Sequence, residues 1–355
     1  MAKKIKCGVI GCGIVAPSHV QGYQLLDNVA VTWACDIVEE KARALAAKHG
    51  IPRVTADYTE VLRDAEVDCI SVCTDHASHA PITAAALAAG KHVLCEKALA
   101  ANAAGLDRMF AAHAKHPELV FSGVFQHRFD AVFQQVKRLV EQGAFGTILT
   151  AAVQVRCLRT NDYYRADQWR GTWAHEGGAV LINQAIHFID ALVWIMGGVA
   201  ALCGTYSNLT HGDAIETEDT AVATLRFGCG ALGTLEATCS SHLGWEHTLS
   251  IHGSHGSLDL RDGTPLKVAF DDAAAGQRIS AELAACREQQ AARADKLHYG
   301  ASHPTQIADF IEAIQERRAP FVSALSARHT VEVVLAIYES HRRGCWVRTR
   351  DRDAC

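Results

Sequence analysis

The chain lacks any apolar run long enough to span a bilayer, so no membrane partner is expected. It also lacks a basic excess. Lys and Arg number 34 against 39 Asp and Glu, a formal charge of −5 with His neutral, and the cations are scattered rather than bunched. Nucleic-acid binding needs a basic stripe or patch, so that class of partner is not expected either. No internal repeat and no low-complexity tail is present. The nearest approach to a metal motif is His76-Ala-Ser-His79, with no matching Cys or His pair at ligand spacing, and no metal is assigned. The opening Met-Ala-Lys-Lys-Ile-Lys runs into a strand pattern rather than a signal peptide, which points to a cytoplasmic protein.

What is present is the balance of a soluble globular protein: 355 residues, 49% apolar and 21% charged, long enough for two domains and a large core. The 13 cysteines are odd in number, and Cys7, Cys35, Cys69, Cys73 and Cys95 fall inside apparent buried strands. Reduced core thiols are therefore favoured over a disulfide framework.

Residues 5–10 read as a short apolar strand running into Gly11-Cys12-Gly13-Ile14-Val15-Ala16, with a helical stretch through residue 26. In that context a Gly-x-Gly-x-x-Ala turn lets a pyrophosphate approach backbone N–H groups at a helix N-terminus. The next strand, 31–35, ends in Asp36, where an acidic residue accepts the ribose 2′-hydroxyl of NAD. No Arg stands beside it for a 2′-phosphate, so NAD is expected over NADP. Strands and helices then alternate: helix 38–49, a strand near 54, helix 58–64, strand 68–73, helix 78–89, strand 92–95, helix 103–116 and strand 119–123. This spacing predicts a doubly wound parallel sheet over residues 1–124. Ligands of such sheets bind outside the strand C-terminal ends, here Thr74 to His79 and Glu96-Lys97-Ala98. Lys97 is either a cation for a substrate oxygen or an ordinary surface Lys.

The pattern changes after an amphipathic helix over 130–141. Long alternating runs at 148–156, 202–209, 219–226, 231–238, 247–252 and 257–259 predict a second domain, 125–355, with an antiparallel or mixed sheet solvated on one face. Its remaining parts are read as a loop near 273, a helix over 281–295, and helices over 304–316 and 328–343. Between Gly177-Gly178 and Gly197-Gly198 lies an apolar helix on which Asn183, His187, Asp190 and Trp194 fall at i, i+4, i+7 and i+11. Buried polar groups on such a helix need partners, whether a substrate or a neighbouring side chain.

These residues together resemble the glucose–fructose oxidoreductase, inositol dehydrogenase and MocA (Gfo/Idh/MocA) family along the whole chain. The marks are Gly11-x-Gly13-x-x-Ala16, Asp36, Glu96-Lys97, Gln126-x-Arg128-Phe129, the Asn183-Gln-Ala-Ile-His187-Phe-Ile-Asp190 helix, Glu218-Asp219-Thr220, Gly253-x-x-Gly256-Ser257 and His303-Pro-x-Gln-x-x-Asp309-Phe310. The resemblance implies an N-terminal Rossmann domain and an α+β domain with a large, mostly antiparallel open-faced sheet. Its implied activity is NAD-dependent oxidation of a secondary hydroxyl of a sugar, sugar acid, nucleotide-sugar or cyclitol, or the reverse. Lys97 and His187 would flank the reacting carbinol. Ala98 stands where the family usually has Pro. Asn183 stands where inositol dehydrogenases carry Asp; Asn is usual in the branch similar to UDP-N-acetylglucosaminuronate 3-dehydrogenases, which also shares Tyr163-Tyr164 and Trp169-Arg170-Gly171-Thr172-Trp173.

The expected catalytic set is His187 as base, Lys97 stabilising the alkoxide, and Asn183 positioning. The expected cofactor set is Gly11, Gly13, Ile14, Val15, Asp36, Thr74, His79, Glu96, Lys97 and Gln126, with His79 at the nicotinamide by family analogy. The expected substrate set is Lys97, Arg128, Tyr164, Trp169, Arg170, Asn183 and His187, with Arg170 available for a carboxylate or phosphate. Arg128 serves equally as a helix cap, and His303 equally as a capping or packing residue. The open sheet face predicts a homodimer or homotetramer. A non-catalytic NAD-binding regulator, or an enzyme using tightly bound NAD for elimination or epimerisation, are the competing readings.

Overall fold

Strand β1 (Ile5–Ile10) is buried at all but one position, as a strand covered by helices on both faces must be. A computed structural model describes residues 4–294 and 302–349. Their contacts divide the chain into two units: unit 1 is Met1–Gln126 with Asp295–Arg328, and unit 2 is His127–Ala294 with His329–Cys355.

In unit 1, β1 is followed by α1 (Ala16–Gln24), β2 (Val29–Cys35), α2 (Glu39–His49), β3 (Arg53–Thr55), α3 (Tyr58–Arg63), β4 (Cys69–Val72), α4 (His76–Ala88), β5 (His92–Cys95), α5 (Ala103–His113) and β6 (Phe121–Gly123). The sheet order is β3-β2-β1-β4-β5-β6, every pair parallel. Strand order reverses at β1, between β2 and β4, which puts the glycine turn at the switch point. One core cluster gathers Val9, Ala16, Val20, Ala34 and Leu45. In a second, Ile5, Cys7, Tyr23 and Leu94 pack with Ile307, Phe310 and Ile311. The last three lie on the helix Ser302–Glu316, which the sequence reading put in the second domain. Its apolar positions 307, 310 and 311 find their cover here, and chain order gave no sign of that return. Cys7, Cys35, Cys69, Cys73 and Cys95 are buried free thiols, as expected.

Unit 2 is built on an eight-stranded sheet of β7 (Ile148–Leu158), β8 (Val199–Ser207), β9 (Thr220–Phe227), β10 (Leu232–Thr238), β11 (Ser240–Gly253), β12 (Gly256–Arg261), β13 (Thr264–Phe270) and β14 (Val347–Arg348). The order is β13-β12-β11-β7-β10-β9-β8-β14; β7 and β10 pair in parallel and the other neighbours antiparallel. Burial alternates along β9, so one face is covered and the other open. β13 and β14 escaped the sequence reading, one for weak alternation and one for its length of two residues. The stretch near 273, expected as a loop, begins the helix Ala273–Ala294. Alanine suits a helix, and Asp272 caps it by accepting the N–H groups of Ala274 and Ala275 at 2.9 and 3.2 Å. Residue 295 of the expected 281–295 helix lies outside the described residues. Among those residues no helix is long and apolar enough to cross a membrane.

Candidate active site

In unit 1 the turn after β1 is built as a cradle. Gly11 has φ +90°, and a Cβ there would stand 2.5 Å from the Cys73 carbonyl oxygen, whereas a Cβ on Gly13 would meet open space. Only glycine fits the first position, and the second leaves room for a close ligand. Ile14 is 65% exposed, and Val15 is the N-cap residue of α1. Asp36 Oδ2 accepts the Cys12 N–H at 2.7 Å and Oδ1 the Val38 N–H at 2.9 Å. Each oxygen keeps a lone pair for a ribose hydroxyl. Thr74, at the end of β4, is half-buried. Gln126 is 7% exposed, and its Oε1 is a buried acceptor with no hydrogen-bond partner. An orphaned acceptor and an open glycine cradle both fit a dinucleotide with an amide head.

From Val93 to Ala101 every residue is buried except Lys97. Its backbone N–H donates to Glu96 Oε2 at 3.1 Å, and the Lys97–Ala98 peptide is cis. Glu96 Oε1 takes His19 Nε2 at 2.9 Å and His303 Nε2 at 3.5 Å. A carboxylate only accepts, so both rings carry their proton on Nε2. His19 Nδ1 then accepts from Ser71, 2.9 Å away, and Ser71 accepts from Tyr23 at 2.8 Å. Burial pushes the Glu96 carboxyl up, but the hydrogen bonds from His19 and His303 outweigh it and hold the group well below the ordinary carboxylate range. This trio is the one grouping among the described residues with metal-ligand spacing; its contacts are those of a hydrogen-bond network. Glu96 thus supports the Lys97 backbone from within the core.

His79 is fully buried, with Nδ1 2.7 Å from the Ala98 carbonyl and Nε2 3.0 Å from the Thr74 carbonyl. Burial lowers its pKa, so the ring is neutral and donates to one of these two oxygens, between the segments that follow β4 and β5.

In unit 2 the polar helix is two pieces, a π-helical turn Val180–Gln184 and the α-helix Ile186–Ile195. From Glu176 to Val193 every residue is buried except Asn183 and His187. Of the expected stripe, Asn183, His187 and Trp194 are half-buried and Asp190 is not accessible. Asp190 is fully buried and grips Arg128, Nε to Oδ2 at 2.8 Å and Nη2 to Oδ1 at 2.6 Å, with the Thr330 hydroxyl at 2.6 Å. Arg128, expected at the substrate, is 3% exposed and committed to this pair. Tyr164 is likewise turned inward, 2% exposed with its hydroxyl 3.1 Å from Cys239 Sγ.

Two carboxylates hold this segment. Glu218 accepts the N–H groups of Ala179 and Leu181, each at 3.0 Å, and the Tyr338 hydroxyl at 2.8 Å. Burial pushes its carboxyl up to about 7 against those bonds. Glu176 meets Asn183, Oε1 to Nδ2 at 2.5 Å. Nearby, the Arg170 guanidinium lies 4.4 Å from the Tyr163 ring centre and 4.8 Å from that of Trp169, and its Nε donates to Asp167 at 2.9 Å. Arg159 lies 4.9 Å from the Tyr163 ring and 5.1 Å from that of Trp245, and donates to Gln184 Oε1 at 3.1 Å.

Residues 5–124 match the oxidoreductase family's NAD-binding Rossmann fold, and residues 137–349 match its C-terminal alpha/beta domain. The chain belongs to the Gfo/Idh/MocA oxidoreductase family. Members similar to it include the myo-inositol 2-dehydrogenase of Thermotoga maritima, 29% identical over 72% of this chain and 74% of that one. Levoglucosan dehydrogenase of Pseudarthrobacter phenanthrenivorans is 26% identical over 76% of this chain and 78% of its own length. Among solved structures, the WlbA dehydrogenase of Bordetella pertussis, in complex with NADH and UDP-GlcNAcA, superposes with a TM-score of 0.87 at 26% identity, over 98% of each chain. Family membership makes the chain an NAD-dependent dehydrogenase of the sugar and polyol class.

Sequence reasoning missed Glu176, Glu218 and His19. Glu218 was visible in the Glu218-Asp219-Thr220 mark, but nothing in spacing tied it to residues 179 and 181.

Proposed function

We propose that this enzyme oxidises a secondary hydroxyl of an anionic, nucleotide-linked sugar acid to a ketone, with hydride passing to NAD. His187 takes the hydroxyl proton as general base, and Lys97 supplies a cation for the developing alkoxide. Asn183 positions the reacting group. The carrying observation is that Asn183 and His187 alone stay accessible in a buried segment, as a reacting pair must. NAD supplies the hydride acceptor; the residues that would hold it are Gly11, Gly13, Asp36 and Gln126.

The anionic substrate is supported by the guanidiniums of Arg159 and Arg170, which both lie against Tyr163, Arg170 pairing also with Asp167. Arg stacked on aromatics suits carboxylate and phosphate groups. Gln184, next to Asn183, bonds both Arg159 and the Tyr163 hydroxyl, which ties this cluster to the helix of the base. Whole-length likeness to a dehydrogenase holding UDP-GlcNAcA points the same way. The test is NADH formation with UDP-GlcNAcA, myo-inositol and levoglucosan offered separately. Turnover of the nucleotide sugar at the highest kcat/KM is expected; turnover of a neutral polyol alone would overturn the anionic reading.

A further inference from the structure

Glu176 is 1% exposed, and its two oxygens face two different donors. Oε1 lies 2.5 Å from Asn183 Nδ2, and Oε2 accepts the backbone N–H of Gly171. Gly171 packs against Ile215: its φ is +66°, and a Cβ there would stand 2.1 Å from Ile215 Cγ2. The carboxylate is therefore held at one end by a backbone N–H and aims its other oxygen at the amide. Asn183 Nδ2 donates to that oxygen, so Asn183 Oδ1 faces the other way.

We propose that Glu176 is a positioning residue for the reaction, which sets the Asn183 amide so that Oδ1 meets the substrate, and which makes asparagine rather than aspartate the residue that fits at 183. The proposal rests on the reading of Asn183 as a member of the active site. An aspartate at 183 would bring two carboxylate oxygens to hydrogen-bond distance, where like charge opposes both being ionised, so that one must take up a proton at a cost in stability near neutral pH. Glu176→Gln fails for a different reason. The Gly171 N–H claims the new glutamine's oxygen, so its NH₂ turns to Asn183, the amide flips, and a donor faces the substrate where an acceptor stood. Combining the two changes repairs both faults. The glutamine's NH₂ then meets one oxygen of the aspartate, and the second oxygen takes the place of Oδ1. Two harmful substitutions that restore each other are the signature of direct coupling.

The experiment compares wild type, Asn183→Asp, Glu176→Gln and the double variant, as full chains. One readout is kcat for oxidation of UDP-GlcNAcA by NAD; the other is the thermal unfolding midpoint. Misplacing a reacting group by about 1 Å costs on the order of 100-fold in rate. Each single variant is expected to lose about that much in kcat while binding NADH as wild type does, and Asn183→Asp to unfold about 5 °C lower. The double variant should return to within about threefold of wild type in kcat and recover the midpoint. A double variant no better than the worse single variant overturns the proposal, as does an Asn183→Asp variant with wild-type rate and midpoint. If the wild type leaves UDP-GlcNAcA untouched, the substrate reading fails separately, and the four midpoints still decide whether the pair is coupled.

Discussion

Glu96 in unit 1 and Glu218 in unit 2 are both buried carboxylates that accept backbone N–H groups next to an accessible polar residue, yet they ionise oppositely. Glu96 sits between two imidazoles and stays well below the ordinary range. Glu218 receives only neutral donors, two amides and a phenol, and burial pushes it up to about 7. At Glu218 the neutral donors do not offset the loss of water around the carboxylate, whereas at Glu96 the two imidazole hydrogen bonds do. The first arrangement fixes the Lys97 backbone at every working pH, and the second makes the anchor of the Asn183 segment sensitive to pH.

The largest effect should come from breaking the compensated side. His19→Leu leaves Glu96 with one imidazole N–H instead of two, and taking a donor from a buried charged acceptor costs about 3 kcal/mol. Urea unfolding of His19→Leu should show that loss, and adding Glu96→Gln should recover much of it by removing the charge. A His19→Leu variant as stable as wild type would mean that His19 does not hold Glu96 ionised.

A smaller effect sharpens the other side. Below pH about 4.5 the Glu218 carboxyl is protonated folded and unfolded alike, and its contribution is fully present. Between that value and about 7 the folded chain holds a proton that the unfolded chain has released, so stability falls as pH rises through this window. The total is about 3 kcal/mol by the raised value. Glu218→Gln removes the limb. Its deficit against wild type in urea unfolding should therefore narrow by about 2 to 3 kcal/mol from pH about 5 to pH about 8. A deficit independent of pH would show Glu218 ionised throughout.

The parallel sheet was legible because each of its strands carries its own signal: apolar runs, glycine and Asp36 at their ends, helices between. The accessible pair Asn183 and His187 was legible as well, since two polar residues on an apolar helix demand a partner. What escaped depends on returns of the chain. The helix Ser302–Glu316 covers a sheet finished some 180 residues earlier, as the hydrogen bonds of Gln306 to Phe125 N–H and the Gly123 carbonyl record. Asp190 and Arg128 look like site residues in sequence because their charges are complementary to nothing local, and only the fold joins them across 62 positions. Glu176 lies seven residues from Asn183. Even that short distance crosses a glycine turn and a π-helical turn, where no fixed periodicity links side chains.

The claim on which the account turns is that His187 takes the hydroxyl proton. It is tested most directly by kcat/KM for UDP-GlcNAcA against pH in wild type and His187→Ala, with NADH affinity measured beside it. The expected result is unchanged NADH binding, a rate lower by on the order of 10² to 10⁴, and loss of the limb that rises with pH in wild type. A variant that keeps both the rate and the rising limb would contradict it and put the base elsewhere.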